Sequence, residues 1–266
     1  TDAVERARRT GIVSVVPTSD RDPDQVVTPD SAAPQLTTLD DKLALLAQLG
    51  PDAVLVVPFD GALASLAPAD FLEGVVLDTA VPVTCVVGAD FRFGARASGD
   101  VAALRAFGQE HGFDVVAHDL VRADGAPVTS TRIRRLIAAG DVAAARVLLG
   151  RPHRLHGTVA PGAGLGEGLG FPTANLDIDA RFALPAHGVY AAWATVTAGR
   201  FPAAVSVGVP PSFPDATCEL EAHLLGFSGD LYGQEVAIEF VERIRDQRPF
   251  PNRETLSAAI ADDVAR

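Results

Sequence analysis

The chain has 266 residues, 48% hydrophobic and 21% charged, which is typical of a folded protein large enough for two domains. The formal net charge of −12 argues against an extended nucleic-acid surface, because a phosphate backbone requires a basic footprint. No apolar run approaches the roughly 18 residues that span a bilayer, so we expect a cytoplasmic protein with neither membrane nor nucleic-acid partners. Cys85 and Cys218 lie in different predicted domains, which favours free thiols over a disulfide or metal site. The oligomeric state stays open, a homo-oligomer included.

Strand and helix patterns alternate over the first 150 residues. Leucines at helical spacing predict a helix over 39–49, with Thr38 as its N-cap and Gly50 as its stop. Other helices are predicted at 1–9, 69–77, 100–111, 130–139 and 142–149, and apolar strands at 12–16, 53–57, 83–87 and 114–118. This alternation is typical of a parallel sheet, so residues 1–149 are predicted to form a Rossmann-like α/β domain. No strand precedes the first helix and the chain begins at Thr1, so we expect the opening βα unit of that sheet to be missing.

The pattern changes near Gly150, where β-branched runs broken by Gly and Pro begin. Short strands are predicted at 156–159, 189–196, 203–207, 218–225 and 236–240, followed by a helix over 253–265. Short strands at this spacing favour a closed or nearly closed antiparallel barrel. Residues 150–266 are therefore predicted to form a second, mainly β domain with a C-terminal helix.

The most distinctive stretch is Gly162–Asn175, which reads GAGLGEGLGFPTAN. Glycines let backbone N–H groups approach a polyphosphate closely. The stretch lacks the Gly-Lys-Ser/Thr of a P-loop and does not match G-x-G-x-x-G in any register. On composition alone, a flexible glycine-rich hairpin is the alternative.

The end of this stretch, Gly170–Asn175, resembles the signature of riboflavin kinases. The resemblance continues in order through Gly150–Pro152, Gly188–Ala191, Ser206–Gly208, Glu219–Leu225, Asp230–Gly233 and Ile244–Arg245. It covers the whole second domain, and it implies transfer of a phosphate from ATP to riboflavin to give FMN, with Mg²⁺ as the cofactor.

The resemblance also implies roles for particular residues. Thr173 and Asn175 are expected to hold Mg²⁺ and ATP phosphate oxygens, and Glu221 to act as the base for the flavin hydroxyl. Arg245 is expected near the flavin and phosphates, with a solvated arginine as the alternative. The loop glycines expected to cover the nucleotide are Gly162, Gly164, Gly166 and Gly170. On the strand that carries the base, Glu219 is interpreted as a solvated neighbour and His223 as a surface residue.

Some positions depart from the family pattern. Pro210 begins Pro-Pro-Ser-Phe where Asn-Pro-Thr-Phe is usual, and Glu167 replaces a commonly basic residue in the glycine loop. Gln247 stands where a Glu is usual. We expect these departures to affect flavin or nucleotide affinity rather than phosphoryl transfer itself.

The first domain resembles the FMN adenylyltransferase that bacteria usually fuse to this kinase. The segment Gly88–Gly94 matches its G-x-D/N-F-x-F-G element, and Thr129–Arg134 matches its Ser/Thr-Ser-Thr-x-Ile-Arg element. By this resemblance the flavin- and ATP-binding residues are Gly88, Asp90, Phe91, Phe93, Ser130, Thr131 and Arg132. A capping turn with solvent-facing arginines is the alternative for the second element.

The adenylyl-transfer residues of that family are not visible. Its H-x-G-H element belongs on the first βα turn, which would precede Thr1. Its Thr-Phe-Asp-Pro-His-Pro element corresponds to Thr18–Pro23, which has neither the aromatic residue nor the histidine. We therefore hypothesise weak or absent adenylyl transfer. The alternatives are a fully bifunctional FAD synthetase and a degenerate paralogue that only binds flavin or nucleotide.

Overall fold

The computed structural model describes residues 2–78, 80–162, 168, 170–208 and 220–265. Contacts divide the chain into two compact units, Thr1–Ala33 with Thr38–Pro127 and Pro34–Thr37 with Val128–Arg266. The predicted fold class is confirmed, because the first unit alternates helices with parallel strands and the second contains a closed barrel and a C-terminal helix. The predicted domain boundary between residues 149 and 150 stays a prediction, since a boundary between families need not coincide with one between compact units.

The first unit contains six helices and three pairs of strands within its described residues. The helices are α1 Asp2–Thr10, α2 Asp24–Val27, α3 Leu39–Gln48, α4 Gly61–Ser65, α5 Pro68–Leu72 and α6 Val101–His111. The strands are β1 Val15–Ser19, β2 Ala53–Val57, β3 Thr84–Gly88, β4 Asp114–His118, β5 Arg122–Ala123 and β6 Ala126–Pro127. Short 3₁₀ turns lie at Pro29–Ser31 and Ala95–Ala97, and a π-helical turn follows α5 at Glu73–Leu77.

Strand β1 begins three residues later than the apolar run predicts. Ser14 donates from its backbone N and its hydroxyl to one Asp52 carboxylate oxygen, at 2.8 and 2.7 Å. This contact sets the parallel register in which Val15 lies opposite Ala53. The predicted strand residues Ile12 and Val13 lie outside the pairing and are 41% and 68% exposed. Side-chain hydrogen bonding, which an apolar pattern does not report, therefore decides where this strand starts.

The second unit holds three helices and six strands within its described residues. Helices α7 Ser130–Ala138 and α8 Val142–Leu149 come first, and α9 Arg253–Ala265 comes last. The strands between them are β7 His153–Ala160, β8 Ala174–Ile178, β9 Gly188–Val196, β10 Gly199–Val207, β11 Leu220–Leu224 and β12 Glu235–Arg245. They close into a barrel in the order β10-β11-β8-β7-β12-β9, with antiparallel neighbours throughout.

Alternating residues on these strands fill the barrel interior. Tyr190 and Phe240 are its largest fully buried side chains, and their rings meet edge to face with centroids 5.5 Å apart. His153 is also fully buried, where its Nε2 donates to the Ala183 carbonyl at 2.7 Å. Desolvation lowers the pKa of His153 to about 4, so the ring is neutral in the folded protein.

No helix in the described residues combines the length and apolar character needed to cross a membrane.

Candidate active site

The pairing of β8 with β11 brings the predicted phosphate-binding and catalytic residues together. Glu221 lies directly opposite Asn175 in this antiparallel pair, so their side chains share one face. Leu220 and Ala222, the neighbours of Glu221, are fully buried in the barrel. Glu221 and Asn175 therefore lie on the outer face. Thr173 comes two residues before Asn175, next to the start of β8.

The Glu221 carboxylate is half-buried, and burial raises its pKa. Within the described part of the chain, no hydrogen bond or ion pair to a basic side chain offsets that desolvation. A poorly solvated carboxylate without a charged partner accepts a proton more readily than a solvated one. These surroundings suit a general base.

Gly162 packs directly against the side chain of Asn175. A Cβ atom at position 162 would overlap the Asn175 amide group, so no residue with a side chain fits there without displacing it. Gly170, at the other end of the loop, has φ = +84°, in the left-handed region that favours glycine. The predicted loop residues Gly164, Gly166 and Glu167 lie outside the described residues, as do Glu219, Cys218 and the departing Pro210.

His223 has a structural role that its sequence pattern did not indicate. Its Nδ1 lies 2.8 Å from the Pro172 carbonyl oxygen, and its ring meets the edge of Phe171 with centroids 5.5 Å apart. The side chain therefore holds the segment that leads into Thr173. His223 lies partly exposed on the outer face of the barrel, in agreement with its interpretation as a surface residue, and this contact adds a structural role. The one available signal for that role was that His223 shares a strand face with Glu221.

The guanidinium of Arg245 forms an ion pair with Asp263 of α9. Its Nε and Nη2 donate to the carboxylate at 2.7 to 3.1 Å, and its Nη1 donates to the Asp246 carbonyl at 3.0 Å. Asp263 is only 7% exposed, so the pair fastens the C-terminal helix to the end of β12. The predicted contact of Arg245 with flavin or phosphate stays a prediction.

Gln247 fastens the end of β10. Its side-chain nitrogen lies 3.0 Å from Ser206 Oγ, 2.9 Å from the Val207 carbonyl and 2.8 Å from the Gly208 carbonyl. Ser206 lies directly opposite Glu221 across β10 and β11. A glutamate at position 247 could not donate these bonds while ionised, so the amide is suited to its surroundings here.

The oxygen-bearing side chains of Thr173 and Asn175 suit Mg²⁺. A hydroxyl and an amide carbonyl are hard donors, and Mg²⁺ commonly takes few protein ligands and completes its coordination with water and substrate phosphates. Among the described residues, no group of three or more His, Cys, Asp or Glu side chains forms an alternative metal site. Thr173 and Asn175 are therefore compatible with a metal that arrives together with a nucleotide.

In the first unit, the predicted residues Gly88, Asp90, Phe91 and Phe93 lie at the carboxyl end of β3 and in the turn that follows. Phe93 is 5% exposed, and Phe91 stacks on it with centroids 5.5 Å apart. A Cβ on Gly88 would come within 2.8 Å of an Asp90 carboxylate oxygen. The turn is therefore compact, and Phe93 belongs to the hydrophobic core rather than to an open surface.

Ser130, Thr131 and Arg132 form the first turn of α7, which belongs to the second unit. Thr129 caps this helix, since its hydroxyl accepts from the Arg132 backbone N at 3.2 Å. Ser130 and Thr131 are exposed. Both predicted features, the capping turn and the hydroxyls at a helix start, are present, and ATP binding there stays a prediction.

Asp20 makes the hydrogen bonds that hold the segment Thr18–Pro23. Asp20 accepts from the Phe59 backbone N at 2.8 Å and pairs with Arg21 at 2.7 Å. The hydrogen bonds from Arg21 and Phe59 hold the pKa of Asp20 below its usual range. Asp22, where the adenylyltransferase element has a histidine, adds a second carboxylate rather than an imidazole.

Comparisons with known proteins match two family models to successive parts of the chain. A family model described as riboflavin kinase matches residues 149–266, and one described as FAD synthetase matches residues 1–132. A bifunctional riboflavin kinase/FMN adenylyltransferase from Pseudomonas fluorescens is 36% identical over 262 residues, 98% of this chain and 84% of the relative. The enzyme of the same name from Escherichia coli K12 is 34% identical over 97% of this chain and 83% of its own length.

A solved structure described as a macrolide-efflux protein from Streptococcus pneumoniae has a TM-score of 0.85 and 26% identity, covering 98% of this chain and 85% of that one. This similarity supports the fold only, because proteins that share a fold can have different functions. The family models and the curated relatives together cover nearly the whole chain. The chain belongs to the family of bifunctional riboflavin kinase/FMN adenylyltransferases.

Proposed function

We propose that this chain transfers the γ-phosphate of ATP to the 5′-hydroxyl of riboflavin and releases FMN and ADP. The observation that supports this most directly is the opposition of Glu221 and Asn175 across β8 and β11, with Thr173 immediately before β8. Phosphoryl transfer depends mainly on positioning and charge neutralisation. Paired barrel strands are well suited to hold Glu221 and Asn175 in place, with Thr173 beside them.

Glu221 is the proposed base. As the flavin hydroxyl oxygen bonds to the γ-phosphorus, the bond from that phosphorus to the bridging oxygen breaks and ADP leaves. The hydroxyl proton passes to the Glu221 carboxylate and then to water. Proton transfer of this kind contributes about 10²–10⁴-fold to the rate, and the raised pKa of Glu221 favours accepting the proton.

Thr173 and Asn175 would hold Mg²⁺ through their side-chain oxygens, and the metal would neutralise phosphate charge. The close packing of Gly162 on Asn175 supports a role for the glycine-rich stretch in nucleotide binding beside this side chain. Gly164, Gly166 and Gly170 are proposed to bind the nucleotide through their backbone N–H groups, although the first two lie outside the described residues. Arg245 is proposed to lie near the flavin and phosphates, with its orientation set by Asp263.

Separation of flavins by chromatography tests the proposal. The protein is incubated with riboflavin, ATP and Mg²⁺, and FMN should accumulate only when all three are present. FMN without FAD supports the kinase alone, and FMN followed by FAD supports the bifunctional alternative. No turnover would support the degenerate paralogue and would overturn the proposal.

A second candidate function is adenylyl transfer from ATP to FMN, favoured by the FAD synthetase match over residues 1–132. We propose that this activity is weak, because Ser19 and Asp22 stand where the family element has an aromatic residue and a histidine. A carboxylate at position 22 repels the α-phosphate that an imidazolium would attract. Rapid FAD formation from FMN and ATP by this protein would contradict this, and Asp22→His should increase FAD formation.

The partners are proposed to be small molecules in the cytoplasm. The reaction needs only riboflavin, ATP and Mg²⁺, and Cys85 is a free thiol, as expected in a reducing compartment. The oligomeric state stays open, and light scattering of the purified protein would distinguish a homo-oligomer from a monomer.

A further inference from the structure

We infer that His223 is a positioning residue, which orients Thr173 for the nucleotide and metal; this role rests on the proposed kinase function. The Nδ1 atom of His223 lies 2.8 Å from the Pro172 carbonyl oxygen. Its ring also meets Phe171 nearly perpendicularly, with an interplanar angle of 84° and centroids 5.5 Å apart. One side chain of β11 therefore touches both residues that precede Thr173.

The strand register explains why Thr173 needs such a contact. In the β8–β11 pair, Glu221 lies opposite Asn175 and Ala222 opposite Ala174. One further step of the same register would put His223 opposite Thr173. The pairing ends at Ala174, so backbone ladder bonds hold Asn175 but do not extend to Thr173. The side chain of His223 replaces the missing ladder contact with a bond to the preceding carbonyl.

This bond acts on Thr173 through the planarity of the peptide group. The Pro172 carbonyl and the Thr173 N–H belong to one rigid plane, so fixing the oxygen fixes the direction in which the chain enters Thr173. The proline ring restricts φ on the other side of that plane. Together the two constraints narrow the range of positions open to the Thr173 hydroxyl, and a displacement of about 1 Å at such a site costs on the order of 10²-fold in rate.

The geometry also determines which substitutions preserve the contact. A carbonyl oxygen only accepts, so the Nδ1 of His223 must carry the proton. Asparagine can place an amide N–H close to the position of Nδ1. Phenylalanine keeps a ring against Phe171 but has no donor.

The test compares His223→Phe, His223→Asn and the control His156→Phe. His156 also lies on the outer face of the barrel and bonds an exposed carboxylate, Glu235, at 2.9 Å. His223→Phe should lower kcat and raise KM for MgATP, for a combined loss of about 10- to 100-fold, with little change in KM for riboflavin. His223→Asn should recover most of that loss, and His156→Phe should match the wild type.

Hydrogen exchange supplies a readout that does not depend on catalysis. The peptide covering residues 170–176 should exchange faster in His223→Phe than in the wild type and in His223→Asn, at equal thermal stability. Equal exchange in all three proteins, or equal kinetic losses in both His223 variants, would overturn the positioning role. If residues 170–176 exchange more slowly in the wild type than in His223→Phe but the wild type makes no FMN, the proposed function is overturned. The anchoring of this segment by His223 would still be established. If His223→Phe does not fold, His223→Asn decides, since it should keep both wild-type exchange and most of the activity.

Discussion

The two compact units hold their strands in different ways. In the second unit, six strands pair on both sides around a closed barrel, and residues such as Val205 and Ile238 are completely buried. In the first unit, β1 pairs with β2 and β3 pairs with β4, as separate two-stranded parallel sheets. No described residue of these four strands is fully buried, although parallel strands are normally covered on both faces.

The difference affects how each unit positions its candidate functional residues. Thr173, Asn175 and Glu221 lie on or beside neighbouring barrel strands, where register determines their separation. In the first unit, Gly88–Phe93 occupies a turn whose shape depends on local packing around Phe93. In a closed barrel, strand register therefore fixes the positions of side chains relative to one another. In an open sheet, these positions depend more on the conformation of the loops.

The largest effect should come from removing the proposed base in the barrel. Glu221→Gln should lower kcat for FMN formation by about 10²–10⁴-fold with little change in flavin affinity. The matched control is Glu235→Gln, an exposed glutamate on another barrel strand. Steady-state kinetics measure both, and an unchanged kcat in Glu221→Gln would remove Glu221 from this role.

The next effect concerns the glycine that contacts Asn175. Gly162→Ala should lower kcat/KM for MgATP on the order of 10²-fold, because the added methyl group displaces the Asn175 amide. Gly61→Ala in the first unit is the control, since no atom lies within 4 Å of its Cβ position. Similar kinetics for both variants would show that position 162 does not constrain the site.

Acid should destabilise the barrel through His153. Its pKa is lowered from 6.5 to about 4 by burial, so the unfolded chain binds a proton that the folded protein does not. The stabilisation is complete above pH 6.5 and is lost as the pH falls toward 4, a change of about 3 kcal/mol in the free energy of unfolding. Denaturant unfolding at several pH values should show this loss in the wild type but not in His153→Gln. Parallel pH profiles for the two proteins would contradict it.

The smallest effects test the packing contrast directly. Val205→Ala in the barrel should cost about 2–3 kcal/mol of stability, because Val205 is fully buried and its loss leaves a cavity. Val56→Ala in β2 should cost about 1 kcal/mol or less, since Val56 is only half-buried. Equal losses in denaturant unfolding would show that the two units are packed equally tightly.

Local patterns predicted many elements well. The bounds predicted for β2 and β4 match the structure, and Thr38 caps α3 by accepting from the Asp41 backbone N at 3.1 Å. Strand β8 was not predicted, because Asn175 and Asp177 interrupt any apolar run. It forms because β7 and β11 pair with it on both sides. The predicted helix over 69–77 is α5 followed by a π-helical turn, a change in hydrogen bonding that apolar spacing does not report.

The sequence by itself determined the order of the two domain types, the family, and the residue types that carry the proposed chemistry, because these depend on local patterns and motifs. The tertiary structure decided that Glu221 faces Asn175, that His223 holds Pro172, and that Arg245 is bound to Asp263. The last two contacts join residues 51 and 18 positions apart. Such contacts follow from barrel closure and from the packing of α9, and no periodicity within a single strand or helix encodes them.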